Sequence, residues 1–185
     1  MSSGGQRNRG PGAAAGNRAA IVGAARVLFA ESGFEVPMSA IARAAGVGQG
    51  VLYRHFPTRE SIALAAFDEN IAEIEGLAAD PGRTLDELLG TIVDQLTGSA
   101  ALIALIDPVD TEDERLTTPA RRLLELIAGK LKDPRQRGTV RADADAADVV
   151  MALAMLAAIL TKTAPAQREA ASRQAWKILS RGLLH

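Results

Sequence analysis

Residues 38–56 read MSAIARAAGVGQGVLYRHF, and this stretch decides the fold because it fits two short helices joined by a tight turn. Helices that cross at a steep angle need a small residue where they approach, and Ala42 supplies one. Gly46, four residues later, can turn the chain through positive φ at little cost. Three apolar residues are spaced to fill the small core between the helices: Ile41, Val47 and Leu52. The pattern therefore predicts a helix-turn-helix unit.

The second of these helices carries a polar and basic face. Its members are Gln49, Tyr53, Arg54 and His55. Such a face suits the major groove of DNA, because Gln49 at the start of the helix can pair bidentately with adenine. Gly50 lets the backbone come close to a base edge. The face therefore indicates that this helix reads DNA sequence.

Three side chains at or beyond the end of this helix can donate hydrogen bonds to phosphates: Tyr53, His55 and Arg59. Such contacts set the register of a protein on DNA without reading its sequence. The first N–H groups of the next helix, near Thr58, offer a further phosphate site. Other roles stay open at this point. Tyr53 could be a half-buried core residue with its hydroxyl in water, a single histidine is more often structural, and arginines alone could be solvated charges.

The charge distribution also divides the chain. Residues 1–59 hold seven basic and two acidic residues, whereas residues 60–185 hold 14 basic and 20 acidic residues, although the net charge of the whole chain is −1. A basic N-terminal part is typical of nucleic-acid binding. Two arginines of a basic tail, together with chance, could also give this excess of basic residues in 1–59. The charge distribution therefore supports DNA binding only in combination with the helix-turn-helix pattern.

The composition excludes several classes of protein. The chain of 185 residues has no cysteine and two histidines, so disulfides, thiolate catalysis and cysteine-based zinc sites are excluded. Residues 77–185 contain no catalytic constellation, and we expect no enzyme activity, no cofactor and no metal. The longest apolar run, residues 149–160, is too short to span a bilayer, and no secretory signal is evident. We therefore expect a soluble cytoplasmic protein without a membrane partner.

Helical periodicity, caps and prolines predict an all-α protein with about nine helices. No stretch alternates with period 2, so essentially no strand is expected. Residues 1–16 contain five glycines and are expected to be a disordered tail. The predicted helices are 17–32, 38–45, 49–56, 58–78, one opening at 84–87, 145–162 and 165–184. Between the fifth helix and 145–162, starts at 111–114 and at Thr118-Pro119 are equally good, so a broken or short turn followed by a helix to about 132 is expected.

The stretch from Arg18 to about Phe67 closely resembles the DNA-binding domain of TetR-family transcriptional regulators. The matching pieces are AARVLFAESGF (24–34), IARAAGV (41–47) and LYRHFPTRES (52–61). In that family the third helix enters the major groove, so the resemblance implies that Gln49, Gly50 and Val51 face base edges. It also implies that Tyr53, His55 and Arg59 hold phosphates and that Ser39 lies near the DNA backbone. The candidate DNA-contacting residues are Ser39, Gln49, Gly50, Val51, Tyr53, Arg54, His55, Thr58 and Arg59.

Three positions depart from the family pattern. Pro37 stands where the family often has Thr, so capping of the second helix by a hydroxyl is lost. Arg59 replaces the common Lys and keeps its charge. Val51 replaces a frequent Thr and offers an apolar surface that could meet a thymine methyl group.

The resemblance also implies two domains, with residues 17–76 binding DNA and residues 77–185 serving regulation and dimerisation. Residues 148–160, DVVMALAMLAAIL, are apolar on every face, so they form either a central core helix or a helix between the core and a partner chain. The family builds its dimer from the last two helices, which favours a partner chain. The candidate dimer residues are Val149, Leu153, Leu156, Leu160, Ala171, Ala175, Trp176, Ile178 and Leu179.

A homodimer of this kind would place two reading helices in successive major grooves, so its operator should be a palindrome. The resemblance implies a pocket for a small-molecule effector among helices four to eight, although its lining residues are unknown. Beyond Phe67 the only aromatic residue is Trp176, which predicts an aliphatic effector. The sequence therefore favours a ligand-responsive repressor. The alternatives are a helical protein-interaction module without DNA binding and, less favoured, a small helical enzyme.

Overall fold

A computed structural model of the protein describes residues 11–100 and 114–185. These ranges contain nine α-helices and no strand, which confirms the all-α fold class. A 3-10 turn, Pro165–Gln167, precedes the last helix. The helices are α1 Pro11–Ser32, α2 Met38–Ala44, α3 Gln49–His55, α4 Arg59–Ala78, α5 Leu85–Gly98, α6 Glu114–Lys132, α7 Pro134–Arg137, α8 Ala146–Thr161 and α9 Arg168–Leu183.

The first four helices surround one hydrophobic cluster. Each of these helices contributes one large, fully buried side chain to it: Ile21, Ile41, Leu52 and Ile62. The turn between α2 and α3 passes through Gly46 with φ 67°, and the Val47 N–H donates to the Ala42 carbonyl across that turn. Both features match the helix-turn-helix pattern predicted from residues 38–56. The helix α3 has only seven residues, so it is stabilised mainly by the packing of its buried side chain Leu52.

A second cluster, mostly aliphatic, fills the space between the later helices and the end of α4. The change from one cluster to the other falls within α4, between Ala66 and Ile71, and Phe67 packs against both. The predicted domain boundary after residue 76 lies near the C-terminal end of this helix. Because α4 contributes to both cores, any rotation of α4 changes the packing in both halves of the protein.

Three helix boundaries differ from the prediction. The first helix starts at Pro11, so residues 11–16, expected to be disordered, are helical. Proline fits the first position of a helix, and the alanines that follow favour helix. The helix α6 runs through Pro119 without restarting there, while the alternative start at Thr111 lies outside the described residues. The predicted helix from 165 begins as a 3-10 turn, and the α-helix starts at Arg168.

The structure places most of the candidate dimer residues in the core of their own chain. Val149, Leu153, Leu156 and Leu160 are buried within their own chain, so they are not available to a partner. Four more of the predicted residues are buried or half-buried against the same core: Ala171, Ala175, Trp176 and Leu179. Only Ile178 is strongly exposed. Periodicity could not separate the two faces of α8, because both faces are apolar.

Candidate nucleic-acid interface

The helix α3 presents one face outwards and buries the other. Leu52 is completely buried within α3, and Phe56, which follows its last residue, is almost completely buried. On the opposite side Gln49, Gly50, Tyr53 and Arg54 are exposed, and Tyr53 keeps 51% of its surface accessible. Since residues three and four apart share one face of a helix, these four side-chain positions form one continuous surface.

The positions differ in how freely they can meet a base edge. Beyond its chain neighbours and the backbone of its own helix, no heavy atom of the described residues lies within 4 Å of the place where a Cβ of Gly50 would be, so the backbone there is open to an approaching surface. The Arg54 Nε–H donates to the Gly50 carbonyl at 3.1 Å, so this side chain lies back along its own helix. Val51 and His55 are half-buried on the flank of the face.

Ser39 lies in the first turn of α2 and is exposed. The residue before α2, Pro37, makes no side-chain cap, as the departure from the family pattern predicts. The helix is instead closed by backbone hydrogen bonds from Ala40 and Ile41 to the Pro37 carbonyl. The start of α2 therefore offers Ser39 as a polar contact without a neighbouring cap hydroxyl.

The start of α4 already has its own hydrogen-bond partners. The Ser61 N–H donates to Thr58 Oγ1 at 3.2 Å, and the Thr58 N–H donates to Ser61 Oγ at 3.3 Å, which forms a capping box. Backbone N–H donation at the helix start, helped by the Thr58 hydroxyl, lowers the pKa of the Glu60 carboxyl from its ordinary value. A phosphate at this helix end would therefore meet N–H groups that already donate within the capping box, and it would be repelled by the ionised carboxylate of Glu60.

Arg59 is held by two contacts. Its Nη1–H donates to Glu35 Oε2 at 2.8 Å, and its guanidinium carbon lies 5.1 Å from the centre of the Phe34 ring. The side chain of Arg59 is only 24% exposed, whereas that of Glu35 is 88% exposed. The predicted phosphate ligand is therefore paired within the chain.

The pairing partner Glu35 was not identified as a functional residue from the sequence. It lies in the turn between α1 and α2, 24 positions before Arg59, and no local pattern connects the two. Arg18 makes similar structural contacts: its guanidinium lies 5.3 Å from the Phe56 ring centre and pairs with Glu69 on α4. Both sets of contacts form only when the helices pack together, so no local sequence pattern predicts them.

Comparison with known proteins agrees with this geometry. The family model described as "Bacterial regulatory proteins, tetR family" matches residues 21–66. The HTH-type transcriptional regulator UidR of Escherichia coli strain K12 is 28% identical over 149 residues, which cover 70% of this chain and 72% of UidR. Both matches are to transcriptional regulators.

Two solved structures extend the likeness to nearly the whole chain. A TetR transcriptional regulator from Streptomyces coelicolor is 30% identical, with 90% of this chain and 98% of that chain covered and a TM-score of 0.64. A TetR transcription regulatory protein from Mycobacterium vanbaalenii is 28% identical, with 94% and 98% covered and a TM-score of 0.58. Regulators of this family bind DNA as dimers and respond to small-molecule effectors.

Within residues 11–100 and 114–185, no helix is both long and apolar enough to cross a membrane. The fold, the outward face of α3 and the likeness to relatives along most of the chain confirm the family expected from residues 18–67. The chain belongs to the TetR family of DNA-binding transcriptional regulators.

Proposed function

We propose that the protein is a ligand-responsive repressor that binds a palindromic operator as a homodimer, with α3 as the reading helix. The observation that supports this most directly is the orientation of α3: Leu52 and Phe56 anchor it in the core, while Gln49, Gly50 and Tyr53 face outwards. In this proposal α1 to α4 form the DNA-binding domain, and the later helices form the regulatory domain.

The roles proposed for individual residues follow from their exposure. Gln49 reads one base, Gly50 admits a base edge, and Val51 touches it from the flank. Tyr53, Arg54 and His55 donate to phosphates on one side of the groove, and Ser39 donates from the start of α2. Thr58 chiefly fixes the start of α4, because its hydroxyl oxygen already accepts the Ser61 N–H.

The dimer surface that we propose is the outer face of α8. Met151, Met155 and Ile159 project from this helix and are exposed, and Ala154 and Ala158 between them are small enough for close helix approach. The exposed Ile178 on α9 supplies a further apolar contact. An apolar stripe of this kind in a family of dimeric regulators fits a two-fold interface, in which the same surface of each copy meets the other.

Two such copies would place their α3 helices in major grooves ~34 Å apart, which requires a palindromic site. A gel shift with the DNA upstream of the gene tests this, because saturable and salt-sensitive binding is expected of a repressor. A helical protein-interaction module, the alternative function, would show neither saturable nor salt-sensitive DNA binding. Scrambling one half-site should weaken binding much more than changing the spacer sequence.

The effector that we propose is an aliphatic small molecule. The side chains that fill the cluster around α5, α6 and α8 are Leu, Ile, Val and Ala, and the aromatic residues near it are Phe67 and Trp176. A cavity of about 660 Å³ between α1, α5 and α9 is lined by charged side chains as well as Trp176, so it differs from the aliphatic lining expected. The aliphatic proposal therefore rests on the scarcity of aromatic residues beyond Phe67.

A thermal-shift screen checks the effector class. Aliphatic compounds should raise the melting temperature and release operator DNA, since a ligand that favours one state shifts the population towards it. Planar aromatic cations are screened as the comparison compounds and should not stabilise the protein. Stabilisation by those compounds alone would contradict the aliphatic proposal without affecting the assignment of DNA binding.

A further inference from the structure

The ion pair between Glu35 and Arg59 lies at the edge of the proposed DNA surface. Arg59 is the first residue of α4 and follows the reading helix by four residues, and Glu35 lies in the turn that precedes α2. The two side chains approach to 2.8 Å between Nη1 and Oε2. Glu35, the only acidic residue of the turn at 33–37, is therefore paired with Arg59, the side chain that is expected to contact a DNA phosphate.

The geometry gives the two partners different access to solvent. The Phe34 ring covers the Arg59 guanidinium, and Arg59 Nε is buried without a hydrogen-bond partner among the described residues. Glu35 is the outer member of the pair, because its side chain is 88% exposed. A phosphate that comes from solvent to the available Arg59 N–H groups must therefore displace the Glu35 carboxylate or share those groups with it.

We propose that Glu35 is an internal competitor of the DNA phosphate, which occupies Arg59 in the free protein and lowers the affinity for DNA. The inference rests on the proposed function, since it assumes that the edge formed by α3 and the start of α4 binds DNA. A carboxylate and a phosphate present similar anionic oxygens to a guanidinium, and Arg binds both well. Glu35 thereby sets how tightly the regulator holds every DNA sequence and leaves sequence preference unchanged.

The expected size of the effect follows from the exposure of the pair. An exposed ion pair is worth a factor of about 1.5 to 5 in an equilibrium constant, and a dimer carries two copies. Glu35→Gln keeps the size of the side chain and removes its charge, so it should tighten DNA binding by a dimer roughly 2- to 30-fold at low salt. The gain should shrink as salt rises, because the competition is electrostatic.

The test is a double-mutant cycle on DNA affinity with Glu35→Gln, Arg59→Gln and the double variant. In the Arg59→Gln background, Glu35→Gln should change the affinity little, since the contested cation is absent. A simple loss of negative charge would instead give the same gain in both backgrounds and would overturn the proposal. Glu31→Gln, an exposed acidic residue of the last turn of α1, is the control for charge alone and should give a much smaller gain than Glu35→Gln.

Two further outcomes separate the inference from the proposed function. If the unmodified protein binds operator DNA and Glu35→Gln binds no more tightly, the competitor role is wrong and DNA binding stands. If no form binds DNA, the proposed function itself fails. Arg59 also packs on Phe34, so Arg59→Lys is measured beside Arg59→Gln, and thermal melting verifies that each variant is folded. Glu35→Gln should still tighten binding in the Arg59→Lys background, where a cation remains.

Discussion

Gly50 is the residue at which stability and DNA binding should separate most clearly. It lies within α3, and beyond the local helix backbone a Cβ added there would meet no atom of the described part of the chain within 4 Å. Gly50→Ala should therefore stabilise the fold by about 0.5–1 kcal/mol, because alanine is the better helix former. The same methyl group would stand between the backbone and a base edge, so DNA affinity should fall by tenfold or more.

Thermal melting and a gel shift on the same preparations measure both effects of Gly50→Ala. Gly129→Ala in α6 is the matched control, since Gly129 is also an exposed helical glycine with open space around it. That control should raise the melting temperature and leave DNA affinity unchanged. An unaltered affinity in Gly50→Ala would show that the α3 backbone does not approach the DNA at this position.

Gln49 should determine preference at one base pair. Gln49→Ala removes a bidentate donor and acceptor, which should cost about 1–3 kcal/mol against the preferred base and little against the others. Selection from a randomised operator library measures this as a loss of information at one position in each half-site. Tyr53→Phe is the comparison, because losing a phosphate donor should weaken binding to all sequences by a similar factor. A uniform loss in both variants would contradict the two roles.

At the residue scale, the sequence predicts what local geometry demands. Gly46 adopts positive φ, and Ile41 and Leu52 are fully buried, as the motif requires. Arg59 shows the limit of such reasoning. Its charge and position indicate a phosphate contact, but its partner Glu35 is 24 residues away and becomes a neighbour only when α1, α2 and α4 pack together.

At the scale of elements, α4 and α6 share a buried apolar cluster, and one arginine adds polar contacts between them. Arg122 donates from Nε and Nη2 to both carboxylate oxygens of Glu75, at 2.8 Å and 2.5 Å, and from Nη1 to Asp68. The hydrogen bonds from Arg122 lower the pKa of Glu75 from its ordinary value of 4.5, and the two carboxylates raise the pKa of Arg122. Bidentate geometry makes this pair stronger than an ordinary surface pair.

Arg122→Gln should lower the free energy of unfolding by roughly 1 kcal/mol at neutral pH. Because the pKa of Glu75 is lower in the folded than in the unfolded protein, the stabilisation is present above pH 4.5 and is lost as pH falls below it. The difference in melting temperature between the native protein and Arg122→Gln should therefore shrink between about pH 7 and about pH 3.5.

Arg121→Gln is the control for the Arg122 prediction, since Arg121 is the adjacent residue and pairs at 3.9 Å with Glu125 on its own helix, where both side chains are exposed. This variant should change the melting temperature little at either pH. If both substitutions lowered the melting temperature equally, the loss of a positive charge from α6 would explain the effect, and the contacts of Arg122 with α4 would not.

The helices α6 and α8 show how far elements follow from sequence. Helical periodicity correctly predicts that residues 145–162 form a helix, since no strand pattern competes. It cannot assign the core face, because Val149 on one side and Met151 on the other are both apolar. The side chains packed around the helix decide the question. Likewise Pro119 suggests a helix start, but within the described residues α6 already runs from Glu114 and continues through Pro119.

At the scale of the molecule, α4 connects the two cores. On one side Arg18 and Arg26 of α1 pair with Glu69 and Glu73, and Gln95 of α5 also donates to Glu73 at 3.1 Å. On the other side Arg122 holds α4 to α6. A ligand that moves α5 or α6 therefore has direct polar contacts through which it can change the position of α1 and α4, and with them the spacing of two α3 helices in a dimer.

The dimer itself is tested through Met155, which lies in the middle of the outer face of α8 and is 46% exposed. Met155→Glu should cost the single subunit little, because the side chain already reaches solvent. In the dimer it would place two carboxylates in an apolar interface without partners, so the protein should become monomeric at micromolar concentration. Light scattering after size-exclusion chromatography measures the mass, and circular dichroism should show unchanged helix content.

Loss of the dimer should also reduce operator affinity by roughly 10²-fold or more, because each α3 then binds a half-site without the help of its partner. Val27→Glu is the matched control: Val27 is an apolar residue on α1 with a similar exposure of 55%, away from α8. It should leave the mass unchanged and lower the affinity far less than Met155→Glu, since its added charge acts only by weak electrostatic repulsion of DNA. A Met155→Glu protein that remains dimeric would place the interface elsewhere, and one that becomes monomeric but keeps full affinity would show that a single α3 suffices for operator binding.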